Sequence, residues 1–152
     1  EQKRVFGLIP ALHDAVYVRY GVMHRNTFLN SPRLLLPGFA LKEQPRLFFA
    51  GQMTGVEGYM ESAASGILAG RNAVRALSGH PPLCPPSDTM IGALAQYVCA
   101  PNADFQPMGA NFGILPPLAE PIRDKRLRYE ALSARALASF DAFWAEQKEK
   151  GG

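Results

Sequence analysis

Cysteine is scarce: Cys84 and Cys99 are the two thiols in 152 residues. Two thiols so placed build neither a disulfide framework nor a cysteine-based metal site, so no metal site is expected. Cys84 sits in the stiff run Pro81-Pro82-Leu83-Cys84-Pro85-Pro86, while Cys99 ends an apolar helical pattern and reads as a small buried hydrophobe. Neither has a base beside it in sequence, and no catalytic cysteine is assigned. No apolar run approaches the roughly 20 residues needed to cross a bilayer, and no signal pattern opens the chain. The expectation is a cytoplasmic protein without a membrane partner. Internal repeats and low-complexity tracts are absent. So is the G-x-G-x-x-G turn with which dinucleotide-binding folds grip a diphosphate. The chain starts Glu1-Gln2-Lys3-Arg4 with no methionine, as a processed or incomplete sequence does. With the absent fingerprint, that sets the expectation of a fragment whose N-terminal part lies elsewhere in the same polypeptide.

What is present is a globular composition, 47% hydrophobic and 19% charged, with a formal net charge of +3. The positive excess lies before residue 51 and after residue 120, the middle being acidic. A mild balance of this kind permits a polyanionic partner such as RNA without requiring one.

Val5, Leu8, Ile9 and Leu12 fall at helical spacing, so a short amphipathic helix opens the chain and bends at Pro10. Ala15 to Val22 alternates β-branched and aromatic residues and predicts a strand. The turn after it, Met23 to Thr27, sets His24, Arg25 and Asn26 just past a strand end, where ligand sites of α/β folds collect. Leu34 to Leu36 predicts a short strand, and Leu47 to Ala50, bounded by Pro45 and Gly51, a buried central one. A helix follows from about Gly58 to Leu77. Its small face, which includes Gly66, Ala69, Gly70 and Ala73, suits close approach to a sheet or cofactor better than it suits helix stability. Ser78 to Ser87 is a connector. Ser87-Asp88 caps a helix running to Ala100; Asn102 to Leu118 is irregular, and within it Asn111 to Leu118 packs as an ordered loop. From Pro121 a last helix reaches about Gln147, with Ile122, Tyr129, Leu132, Leu137, Phe140 and Trp144 as its core stripe.

The most informative segment is Gly51-Gln-Met-Thr-Gly-Val-Glu-Gly-Tyr-Met-Glu-Ser-Ala-Ala-Ser-Gly66, placed between an apolar run and a helix. Gly51, Gly55 and Gly58 permit sharp backbone turns, and a helix start presents unpaired amides with a positive dipole end. Such a turn suits an anionic or carbonyl-rich cofactor edge, and serves equally as a packing device. Glu57 and Glu61 also read as carboxylates stabilised by the helix dipole.

Leu47 to Gly66, read whole, resembles the folate- and FAD-dependent tRNA (uracil-5-)-methyltransferase family. Tyr20-Gly-Val-Met-His-Arg-Asn-Thr-Phe28 upstream, and Phe105-Gln-Pro-Met108 with Asn111 to Leu118 downstream, match further stretches of that family in order. The related tRNA wobble-uridine modifying flavoproteins share the Phe-Phe-Ala-Gly-Gln start. They differ at Val56-Glu57-Gly58 and lack the Asn-Phe-Gly-Ile-Leu-Pro-Pro-Leu run, which makes them the alternative. A non-catalytic RNA-binding module is the other. The resemblance implies an α/β chain: the C-terminal part of a Rossmann-like FAD-binding domain over 1–80, a Pro/Gly-rich connector with one helix and an ordered loop over 81–120, and a helical appendage over 121–152. It implies methylene transfer from methylenetetrahydrofolate to C5 of a T-loop uridine in tRNA, with FAD as relay and NAD(P)H as electron donor. Gly51, Gln52, Thr54, Gly55, Val56, Glu57, Gly58 and Tyr59 would line the isoalloxazine, Tyr59 contacting the ring. His24, Arg25 and Asn26 would meet folate, and Lys125, Arg126, Arg128 and Arg135 tRNA. The resemblance corresponds to the C-terminal third of a family member, so a fragment inactive alone is expected, its catalytic cysteine and diphosphate-binding turn lying before Glu1.

Overall fold

The computed structural model describes residues 1–21 and 27–150, and the side chains of all of these except 149 and 150. Five α-helices run Gln2–Phe6 (α1), Ser31–Leu34 (α2), Tyr59–Leu77 (α3), Met90–Cys99 (α4) and Lys125–Lys150 (α5). Short 3₁₀ turns occupy Pro10–Leu12, Gly51–Thr54 and Phe112–Ile114, and two-residue strands Val56–Glu57 (β1) and Met108–Gly109 (β2) pair in parallel, Val56 opposite Met108. The molecule is therefore helix-rich with few strands.

The core gathers where α2, α3 and α4 meet the chain around β1. Leu35, Phe39, Val56, Leu94 and Val98 are its most buried apolar residues, each contributing on the order of 1.5–3 kcal/mol by leaving water. Asn72 of α3 is also buried, and its amide is fully used. Nδ2 donates to the carbonyls of Gly38 (3.2 Å) and Leu83 (3.1 Å), and Oδ1 accepts from the Leu83 amide (2.6 Å). One side chain thus pins both the Gly38 turn, at φ +94°, and the Pro81 to Pro86 connector onto α3. The core consequently draws on residues on both sides of that connector.

A smaller cluster of Ala93, Leu115 and Leu132 joins α4 to α5 through the proline-bound loop. Arg135 of α5 secures it, donating from Nη1 to the Pro117 carbonyl (2.9 Å) and from Nη2 to the Pro116 carbonyl (2.6 Å). Ser139 adds a bond to Asp88 Oδ2 at 2.7 Å. Asn111 to Leu118 is thereby an ordered loop, as its composition suggests, interrupted only by one 3₁₀ turn.

Several local expectations change. Ala15 to Gly21 forms no strand among the described residues; Val16 and Val18 are 90% and 99% exposed. Its alternation marks a β-prone segment, but a strand exists only by pairing, and no described segment pairs with this one. Leu34 to Leu36 ends a helical turn, and Leu35 makes only an isolated antiparallel bridge to Leu41. Leu47 to Ala50 is extended and half-buried, yet its one bridge is antiparallel, Phe48 to Ala40, so it is not a central strand in this chain. The α4 cap is Thr89 rather than Ser87 or Asp88: its Oγ1 accepts from Gly92 N–H at 3.1 Å. The last helix begins at Lys125, and Leu137 is exposed rather than part of a core stripe. Gly66 and Gly70 approach nothing: no protein atom lies within 4 Å of where a Cβ would stand.

Candidate functional site

The glycine turn folds as a 3₁₀ turn, a residue in the left-handed region, a two-residue strand and a helix start. Gly51, Gly55 and Gly58 have φ of +70°, +86° and +106°, conformations that side-chain-bearing residues rarely adopt. The turn is cross-braced. Gly51 N–H donates to Ser65 Oγ (2.9 Å), which itself donates to the Ser62 carbonyl, and Thr54 Oγ1 donates to the Gly51 carbonyl (2.8 Å). Leu29 N–H reaches the Met53 carbonyl and Met108 N–H the Gly55 carbonyl, both at 2.8 Å. Strand β2 and the segment before α2 are thereby tied to the turn.

The three glycines do different things. A Cβ on Gly55 would run into the Phe105 ring, so here the close approach serves packing. A Cβ on Gly58 would collide with the Glu61 carboxylate, whose Oε1 is engaged by the Ala110 amide at 3.0 Å. Glu61 therefore folds back over the helix start and holds the loop after β2, a role its sequence position alone does not disclose. A Cβ on Gly51 would meet Ser62 at 3.7 Å, an ordinary contact, so there the glycine serves its positive φ rather than a close approach.

Gly58 is the N-cap of α3 and supplies no side-chain cap, so the amides of Tyr59, Met60 and Glu61 begin the helix without intrahelical partners. Tyr59 is 93% and Met60 81% exposed, two large side chains in solvent at a positive helix end. Of the residues expected at the cofactor, Gln52, Glu57, Gly58 and Tyr59 are exposed and Gly51 half-buried, whereas Thr54, Gly55 and Val56 are buried in the core. The structure thus divides the run into an outward rim and an inward wedge. His24, Arg25 and Asn26 lie outside the described residues.

The basic residues of α5 are not one patch. Lys125 Nζ and Arg128 Cζ lie 5.6 and 5.7 Å from the Tyr129 ring centre, and that ring stacks on Phe112 at 4.5 Å. Arg126 is within 3.7 Å of Glu130, an exposed pair worth little. Arg135 is committed to the Pro116 and Pro117 carbonyls described above.

Both thiols lie apart from this turn. Cys99 Sγ is 3.2 Å from the Leu36 carbonyl, and burial pushes its pKa up to about 12 despite the opposing pull of Lys42. Burial also raises Cys84, which contacts the Pro37 carbonyl. Protonated thiols of this kind are poor nucleophiles. Among the described residues no group of three or more His, Cys, Asp or Glu side chains is placed to hold a metal, and no helix is long and apolar enough to cross a membrane.

Comparison with known proteins follows the same segments. The family model for glucose inhibited division protein A matches residues 1–81, which include the whole glycine turn. The chain is 60% identical over 144 residues to the methylenetetrahydrofolate–tRNA-(uracil-5-)-methyltransferase TrmFO of Lactiplantibacillus plantarum, covering 94% of this chain and 33% of that protein. It is 58% identical to the same-named protein of Pelotomaculum thermopropionicum over 94% of this chain and 33% of the relative. For the Enterococcus faecalis protein of that name the identity is 59%, over 90% and 32%. The chain spans about a third of the length of these curated relatives. With a matching family model over more than half its length, the chain belongs to the glucose inhibited division protein A family.

Proposed function

We propose that this chain forms the flavin-facing wall, and part of the RNA-binding surface, of an enzyme that methylates C5 of a T-loop uridine in tRNA from methylenetetrahydrofolate. It is then the C-terminal part of a Rossmann-like FAD-binding domain with a helical appendage. The observation that carries the reading is the start of α3: the amides of Tyr59, Met60 and Glu61 without intrahelical partners beside the Gly58 cap, the Glu61 carboxylate folded back at their edge, and Tyr59 exposed. That donor set fits an isoalloxazine, whose polar edge presents carbonyl oxygens and whose faces accept an aromatic ring. When bound, FAD supplies the relay of carbon and hydride, with NAD(P)H as electron source.

The chain's own residues then orient and shield. The amides of Tyr59, Met60 and Glu61 hold the polar edge and stabilise negative charge there through the helix dipole. Tyr59 covers a ring face, and Gly51 and Gln52 form the near rim. Thr54, Gly55 and Val56 lock the turn to the core, which keeps the amides preorganised. Lys125 and Arg128, set against Tyr129, offer cations to tRNA phosphates. His24, Arg25 and Asn26 remain the folate candidates. The relatives' printed names, together with Val56-Glu57-Gly58 at the turn and the Asn111 to Leu118 loop, favour this reading over wobble-uridine modification.

The protein purified from its complete reading frame should be yellow. Given tRNA lacking the modification, methylenetetrahydrofolate and NAD(P)H, it should yield 5-methyluridine by nucleoside mass spectrometry. Tyr59→Ala should weaken flavin retention about tenfold or more while leaving the fold intact, since that side chain is in solvent. A folded, colourless protein would sink the proposal.

A further inference from the structure

We propose that the cleft between α3 and α5 grips the phosphate backbone of the tRNA, an inference that rests on the tRNA-methyltransferase reading above. The cleft encloses about 850 Å³ and brings together Arg71 and Arg75 of α3 with Trp144, Gln147 and Lys148 of α5. Arg71 and Arg75 are one helical turn apart and so share a face. The Arg71 guanidinium lies 4.6 Å from the centre of the Trp144 ring, which orders it while leaving its N–H edge free to donate. Arg75 gives Nε to the Pro81 carbonyl at 2.7 Å, fixing the fork and leaving its two terminal nitrogens. Lys148 extends the positive charge along α5.

Among the described residues, none of these three cations is in an ion pair. Three cations without an ion-pair partner lining one cleft favour an anionic occupant. Their form selects the anion. Two pre-ordered guanidinium forks match phosphate oxygens in a way that point charges do not. The cleft's position suits RNA as well. Arg71 lies about 18 Å along α3 from Tyr59, at roughly 1.5 Å per residue, so a loop seated at the helix start has its flanking strand within reach of the cleft.

The test uses the protein from its complete reading frame, with a fluorescent tRNA transcript titrated across a salt series. Arg71→Gln and Lys148→Gln should each raise Kd roughly threefold to tenfold near physiological salt and lower the slope of log K against log salt by about 0.7–1. Arg71→Lys, keeping the charge, should keep the slope. Trp144→Leu should weaken binding with the slope little changed, since it frees Arg71 without removing it. If Arg71→Gln does not fold, Lys148→Glu, near the exposed end of α5, carries the same expectation with a larger effect. Wild-type protein that binds tRNA, with variants matching it in Kd and slope, overturns the cleft and leaves the enzyme reading standing. Wild-type protein that binds neither flavin nor tRNA overturns both.

Discussion

Gly55 illustrates how one residue serves a site it does not touch. Its φ of +86° and the Phe105 ring against its α-carbon leave no room for a side chain. Gly55→Ala should therefore cost about 2–4 kcal/mol, combining backbone strain with overpacking, and should lower the urea midpoint without changing m. Phe105→Leu in the same chain should recover part of the loss. Cys99 sets a different expectation. Its thiol, raised by burial from the ordinary 9.0 to about 12, is neutral in the form the fold favours. That contribution is full below about pH 9 and is lost as pH rises through about 12. The melting temperature should fall more steeply over this window for the wild type than for Cys99→Ala; parallel curves would show that folding leaves this thiol unperturbed. The glycine positions were legible as turn residues because positive φ selects for glycine. That Gly55 is pressed against Phe105 was not, since the two are 50 residues apart in the chain.

At the scale of elements, α4 depends on its cap. Thr89 is buried, accepts from Gly92 N–H and donates to the Pro86 carbonyl at 2.6 Å, binding the helix start to the proline connector. Thr89→Ala should cost about 1–2 kcal/mol and Thr89→Ser much less, as read by chemical denaturation. Equal losses would mean that the methyl group's packing, not the cap, matters. The long helices were legible in the sequence, whereas α2 lies where a break and a short strand were expected and α1 stops at Phe6, short of the helix expected to Leu12. The 3.6-residue pattern with Gly58 before it sets α3 to within a residue, and α4 is displaced only at its cap. Strands were not. The β-rich runs at 15–21, 34–36 and 47–50 carry the right residues, but strand formation is decided by neighbours rather than by propensity. Among the described residues the only paired strands, β1 and β2, are two residues each and join segments 52 positions apart.

For the whole molecule, the outstanding property is apolar surface. Leu8, Val16, Val18, Tyr59, Met60, Ile67, Leu77 and Leu137 are all exposed, and the first 21 residues bury no side chain. Scattered exposed hydrophobes are ordinary, but this many large ones in a 152-residue chain predict a sticky isolated polypeptide. The 152 residues expressed alone should bind a hydrophobic dye and elute as a mixture of sizes in gel filtration. A monodisperse monomer without dye binding would show that the surface is self-sufficient. By itself the sequence determined the long helices, the glycine turn and the family, because helical periodicity, positive-φ glycine and ordered motifs are local properties of the chain. Only the tertiary structure decided which glycine is pressed against a ring, that Arg135 is spent on two proline carbonyls, and that Arg71, Arg75 and Lys148 share a cleft. Those are outcomes of contact between distant segments, and they are fixed when α3, α4 and α5 close around Asn72 and the proline loops.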